Sequence, residues 1–172
     1  MMIERPDRVD QALAEWQAES PGLDLADAGI TLRLVLLGKY IEQGAKQTFA
    51  PYDIQPWEFD VLATLRRKGA PYELAAGELA RSVVMTCSGM THRLDRLQAR
   101  GLVSRRHSST DRRQVLVGLT PAGVELVDSA IEKRLQAARD VLAPLSPDDA
   151  ERLREALRRL LLRFEERENT AR

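Results

Sequence analysis

Eight arginines fall between residues 81 and 113: Arg81, Arg93, Arg96, Arg100, Arg105, Arg106, Arg112 and Arg113. Only Asp95 and Asp111 oppose them, and the stretch holds neither lysine nor glutamate, so its net charge is +6. The whole chain has 26 basic and 26 acidic residues, so the remainder carries −6. A basic block inside an otherwise acidic chain suits a surface that binds phosphate groups. The plainer alternative is a solvated charged face, and the structure the block adopts separates the two. Other chemistry is poorly represented. The two histidines, His92 and His107, both lie within the block. No HExxH, no GxSxG and no phosphate-cradling glycine loop occurs. Acidic pairs such as Asp148-Asp149 are explained by helix capping. No catalytic residue, metal site or cofactor is therefore assigned, and an enzyme is not expected.

The elements that must position these arginines can be read from the rest of the chain. Its 172 residues suit one domain, or one domain with long terminal arms. With 44% hydrophobic and 30% charged residues it can bury a core, and its alanine, leucine and arginine content favours helix. No run approaches the roughly 18 apolar residues of a membrane span. Met1 to Asp10 lacks the apolar stretch of a signal peptide, and a single cysteine, Cys87, excludes an internal disulfide framework. The expectation is a soluble cytoplasmic protein with no membrane partner.

Val9, Leu13 and Trp16 recur at helical spacing, predicting a helix over about 8–19 that Pro21-Gly22 stops. A second helix is expected from Asp24 or Asp27 as N-cap to about Phe49. Its middle is apolar on more than one face, as in a helix shared with a second subunit. Pro56 suits the first position of a third helix, about 56–68, with Trp57, Val61, Leu62 and Leu65 inward. A short helix over 76–84 and a second over about 87–100 follow, the latter capped by Thr86 and closed by Gly101. Leu102–Arg106 and Gln114–Leu119 then read as a hairpin turned by residues 107–113. Thr120-Pro121 and Ser146-Pro147 each start a helix, the first running to about Leu142 and the second to about Arg167. Leu153, Leu157, Leu160, Leu161 and Phe164 form the stripe of the last one.

Short helix, turn, second helix and hairpin make a winged helix-turn-helix within a mainly α chain. All of these arginines but Arg81 fall on the second helix and the hairpin, the parts that meet DNA in this architecture. Leu94, Leu97 and Met90 face inward on that helix, leaving Ser88, Thr91, His92, Arg93 and Arg96 for base edges and phosphates. The sequence also resembles the MarR family of transcriptional regulators over about residues 30–165. The resemblance rests on Glu78-Leu79-Ala80, on Gly89-Met90-Thr91-His92-Arg93-Leu94-Asp95-Arg96-Leu97 and on Arg100-Gly101-Leu102-Val103. Asp111-Arg112-Arg113 and Val117-Gly118-Leu119-Thr120-Pro121-Ala122-Gly123 complete it. It implies a homodimer that binds a double-stranded pseudo-palindrome, usually as a repressor. Residues 1–50 would supply N-terminal dimerisation helices and a ligand site, 51–119 the DNA-binding lobe, and 120–172 the C-terminal dimerisation helices. The expected DNA contacts are Thr86, Ser88, Gly89, Thr91, His92, Arg93, Arg96, Asp111, Arg112 and Arg113. Arg113 matches the wing arginine that enters the minor groove, and Asp111 the acid that orients it. The alternative for Asp111 is a plain turn residue.

One subgroup of the family responds to urate, and four positions here are similar to its ligand residues: Trp16, Asp60, Arg93 and Arg105. Urate is a planar monoanion, so an aromatic face and guanidinium groups suit it. Each residue also has an ordinary reading: Trp16 in packing, Arg93 and Arg105 on phosphates, Asp60 bridged to Arg93. A phenolic or hydrophobic effector is the alternative. Some relatives sense oxidants through a cysteine located elsewhere, so Cys87 is read as a packing or DNA-proximal residue. A helical dimer without DNA binding is the remaining class, and it would leave the +6 block unexplained.

Overall fold

The computed structural model describes residues 5–83, 89–111 and 113–170. Helices α1 (Arg8–Glu19) and α2 (Ala26–Phe49) lead into α3 (Pro56–Arg67), strand β1 (Glu73–Ala75) and α4 (Ala76–Ser82). Helix α5 (Met90–Ala99), strands β2 (Val103–His107) and β3 (Val115–Leu119), and helices α6 (Pro121–Leu142) and α7 (Pro147–Thr170) complete the chain. Mainly helical structure with a small antiparallel sheet agrees with expectation. No helix among the described residues is long and apolar enough to cross a membrane.

The expected hairpin has a third strand beside it. The sheet order is β1-β3-β2, all antiparallel, with Leu74 opposite Val117 and Arg105 opposite Val117 on the other side. β1 is three residues long, too short to show an alternating pattern. Gly118 is where the sheet needs a missing side chain. A Cβ there would stand 2.6 Å from Glu73 Cγ. The space lets Glu73 on β1 reach over β3 to Arg106 on β2, whose Nε and Nη2 donate to the carboxylate at 3.1 and 2.6 Å. That bidentate hydrogen bonding holds the Glu73 carboxyl below the usual carboxylate range.

The core lies between α3, α4, α5, the sheet and the start of α6. Val61, Leu62, Leu65, Leu79, Leu97 and Val117 are fully buried, and Phe49 stacks on Phe59 at 4.4 Å between ring centroids. Thr120 caps α6, accepting from the Gly123 amide at 3.1 Å and donating to the Gly101 carbonyl at 2.6 Å. Gly123 lies so close against the Leu102 carbonyl that no side chain fits, which fixes α6 to the base of the wing.

Two helix starts differ from expectation. α2 has Leu25 at its N-cap, with no side-chain cap there. Asp24 sits one residue earlier and accepts from the Ala26 amide at 3.2 Å, while Asp27 lies inside the first turn. The described part of α5 begins at Met90, with Gly89 at φ 76° before it, rather than at 87. Thr86, its expected cap, lies outside the described residues, as do Cys87, Ser88 and Arg112. Gly101 closes α5 at φ 68°, as expected of a glycine there.

α1 is fastened to α2 by charge. Arg33 on α2 donates to Asp7 through Nε at 2.8 Å and also pairs with Asp10. Asp7 is the N-cap of α1, so one carboxylate caps one helix and ties it to the next. The Arg33 hydrogen bond, and then the Asp10 amide, hold the Asp7 carboxyl down at about 2. A depressed carboxyl stabilises the fold fully above the ordinary aspartate range and loses that effect as pH falls through its folded value. Asp7→Asn is therefore expected to speed amide exchange in α1 at neutral pH and leave α3 and α5 unchanged. The difference from wild type should shrink as pH falls through the ordinary aspartate range and be lost only below about 2. Equal exchange in α1 at neutral pH would show that the pair does not hold it.

Candidate nucleic-acid interface

The helix α5 presents three functional sides. At about 3.6 residues per turn, Met90, Leu94 and Leu97 share one side. All three are buried, as expected. Thr91 and Asp95 fall on the flank facing the wing, Arg93, Arg96 and Arg100 on the flank facing α3, and His92 points outward between them. Thr91, His92 and Arg96 are exposed, and Arg93 is half-buried.

The wing flank is held by Arg105 of β2. Its Nη1 pairs with Asp95 at 2.7 Å, and its Nη2 donates to the Thr91 carbonyl at 3.3 Å. Its Nε is buried with no hydrogen-bond partner among the described residues, an unusual state for a guanidinium nitrogen. The α3 flank is held by two consecutive residues. Trp57 has the guanidinium carbons of Arg93 and Arg96 at 5.2 and 5.3 Å from its ring centroid. Glu58, only 1% exposed, pairs with Arg100 at 3.2 Å while its other oxygen accepts from the Gln55 amide at 2.8 Å. Asp53 adds a longer contact to Arg100 at 3.5 Å.

The charge of the block is thus partly balanced by carboxylates. Arg100, Arg105 and Arg106 are paired with Glu58, Asp95 and Glu73, two of which lie outside the block. Sequence reasoning missed these partners, and it placed Trp57 only as an inward residue. The Gln55-Pro56-Trp57-Glu58 capping box was a usable signal for Glu58 at the first turn of α3.

At the wing tip, Ser108 is buried and its hydroxyl accepts from the amides of Thr110 and Asp111 at 3.2 and 3.3 Å. Asp111 Oδ1 accepts from the backbone N–H of Arg113 at 3.0 Å. The expected contact with the Arg113 guanidinium is replaced by this backbone one. Asp111 works as a turn-forming residue, and the exposed Arg113 side chain is directed by the turn.

The four positions similar to urate ligands lie on four elements. Trp16 is 58% exposed on α1, in a shallow recess of about 260 Å³ with Ala12, Glu15 and Glu19. Asp60 is half-buried on α3, one turn beyond Trp57, and its carbonyl accepts from Thr64 Oγ1. Arg93 and Arg105 reach opposite flanks of α5, the first over Trp57 and the second beside Asp95.

Apolar surface marks the other end of the chain. Ile30, Val35, Leu37 and Tyr40 on α2 are each at least half exposed, as are Leu161 and Phe164 on α7. Isolated exposed leucines are ordinary, but a stripe on α7 and apolar residues on more than one face of α2 suit a partner surface.

A two-helix unit with its second helix outward, followed by an antiparallel wing, defines a winged helix-turn-helix protein. Residues 54–115 match the MarR family model. The chain is 33% identical over 152 residues to the HTH-type transcriptional regulator PecS of Dickeya dadantii, spanning 88% of this chain and 92% of PecS. The chain belongs to the MarR family. Among solved structures, a mutant MarR of Escherichia coli complexed with operator DNA superposes with a TM-score of 0.69 at 25% identity. That match covers 81% of this chain and 99% of the other. Bordetella bronchiseptica BpsR, described as regulated in its DNA binding by 6-hydroxynicotinic acid, gives 0.65 at 25% identity, covering 78% and 98%. These relatives are regulators of transcription, not enzymes.

Proposed function

We propose that this protein is a homodimeric regulator, acting as a repressor, that binds a pseudo-palindromic DNA duplex and is released by a small planar anion such as urate. The observation that carries the DNA reading is the exposure of Thr91, His92 and Arg96 on α5 together with Arg113 at the wing tip. Thr86, Ser88 and Arg112 belong to the same proposed contact set, with Gly89 letting the backbone turn into the helix. Two such lobes, joined through the apolar faces of α2 and α7, would present their α5 helices to major grooves about 34 Å apart. Residues 1–50 and 120–172 serve dimerisation in this reading, and 51–119 serve DNA. A salt titration tests it. A dimer that contacts about ten phosphates loses affinity with a log–log slope near −9. A slope near zero would contradict it.

The effector reading rests on Trp16, Asp60, Arg93 and Arg105. The Arg105 Nε supports it, because a bound anion would satisfy a nitrogen that the described residues leave without an acceptor. An anion drawing on Arg105 would compete with Asp95 and the Thr91 carbonyl, both on the DNA-facing helix. That competition would alter how α5 is held. BpsR and 6-hydroxynicotinic acid support a planar aromatic anion as the ligand class. Arg105→Ala and Trp16→Ala are each expected to raise the urate concentration for half-release about tenfold, the first by removing a charge-assisted contact and the second by removing an aromatic face. DNA affinity without urate should change less in Trp16→Ala, whereas Arg105→Ala also removes the hold on Asp95 and Thr91 and should lower it. Normal urate responses in both variants would remove the pocket and favour a phenolic or hydrophobic effector in the dimer crevice.

A further inference from the structure

We propose that Trp57 is the positioning residue for the DNA-facing arginines, holding Arg93 and Arg96 in the pose that duplex binding needs. This inference rests on the DNA-binding reading and is independent of the effector. Arg93 and Arg96 are one turn apart on α5, and their guanidinium carbons lie 5.2 and 5.3 Å from the same indole ring. Trp57 itself is anchored, because it is partly buried against the core at the first turn of α3. Glu58, next in the chain, is fully buried and grips Arg100 at the C-terminal end of α5. Three arginines along one flank of α5 are therefore met by two consecutive residues of α3. Glu58 fixes the end of the helix, and Trp57 orders the side chains nearer its start.

The chemistry suits that role. A guanidinium held over an aromatic ring is attracted to its negative face, and its donors are not consumed by that contact. A carboxylate at the same place would neutralise the charge, as Asp95 does for Arg105. An indole brings no countercharge of its own. Ordering the side chains before DNA arrives removes part of the rotamer entropy that two long arginines would lose on binding.

The test separates the ring's electrons from its shape. Trp16→Phe leaves Trp57 as the only tryptophan, since the chain has two. That variant is prepared with tryptophan and with mono-, di- and tetrafluorotryptophan. Fluorine drains the ring's negative face and changes its size little. Each preparation is titrated by anisotropy against a duplex taken from immediately upstream of the protein's own gene. Affinity is expected to fall stepwise with fluorination, about fivefold across the series, at unchanged Tm. Trp57→Leu should show a similar loss, and Arg96→Ala should shrink the loss caused by Trp57→Leu. Affinity independent of fluorination overturns the proposal, whether or not Trp57→Leu folds. If the unsubstituted chain binds no duplex, the DNA-binding reading fails and takes this proposal with it.

Discussion

Arg113→Ala is expected to weaken duplex binding about a hundredfold and leave Tm and oligomeric state unchanged. The side chain is exposed at the wing tip, and the turn uses only its backbone N–H, bonded to Asp111 at 3.0 Å. Alanine keeps that N–H, so the turn survives the substitution. The loss falls on the complex alone. A narrow minor groove concentrates negative potential and attracts an inserted guanidinium. Each such contact contributes on the order of 1–1.5 kcal/mol, and a dimer has two wings, so roughly 2–3 kcal/mol is lost. That is about a hundredfold in affinity. Anisotropy titration of both proteins on one duplex measures it. Equal affinities would show that the wing does not contact the groove.

Leu157→Glu with Leu161→Glu has the larger expected effect, on assembly and through it on DNA. Both leucines lie on α7 at helical spacing and are 40% and 59% exposed in the single chain. Burying the half of such a side chain that is still exposed is worth about 1 kcal/mol, and by symmetry each leucine occurs twice in a dimer. Two carboxylates there would have to be desolvated without partners. The double variant should sediment as a monomer with its helical content preserved. Its duplex affinity should fall by more than about a hundredfold, because two linked half-sites become independent ones. A variant that stays dimeric would move the interface off this face of α7.

Much of this architecture can be read from local patterns. Pro56, Pro121 and Pro147 at first helical positions and Gly101 after α5 mark boundaries by their own conformational rules, and the structure places the elements where those rules do. The alternation in 115–119 was enough for β3. β1 was not legible, because three residues carry no period and only pairing with β3 makes them a strand. The site divides the same way. The arginine block and the helix-plus-wing order pointed to one surface. Which arginines pair with carboxylates did not follow, because Glu58 and Glu73 come from distant segments and meet Arg100 and Arg106 only after folding. Periodicity placed Trp57 inward, yet nothing in it tells whether that ring meets leucines or guanidinium groups. Asp111 was ambiguous in sequence for a related reason: an aspartate two residues before an arginine can take its side chain or its amide, and here it takes the amide.

The most direct measurement is fluorescence anisotropy of the protein on the duplex immediately upstream of its own gene, with and without urate. Tight binding that urate reverses is the predicted result. It would support both the DNA surface of α5 and the wing, and an anion site built on Trp16, Asp60, Arg93 and Arg105. Tight binding that urate leaves untouched would contradict the effector assignment, and no salt-dependent binding to any duplex would contradict the regulator itself.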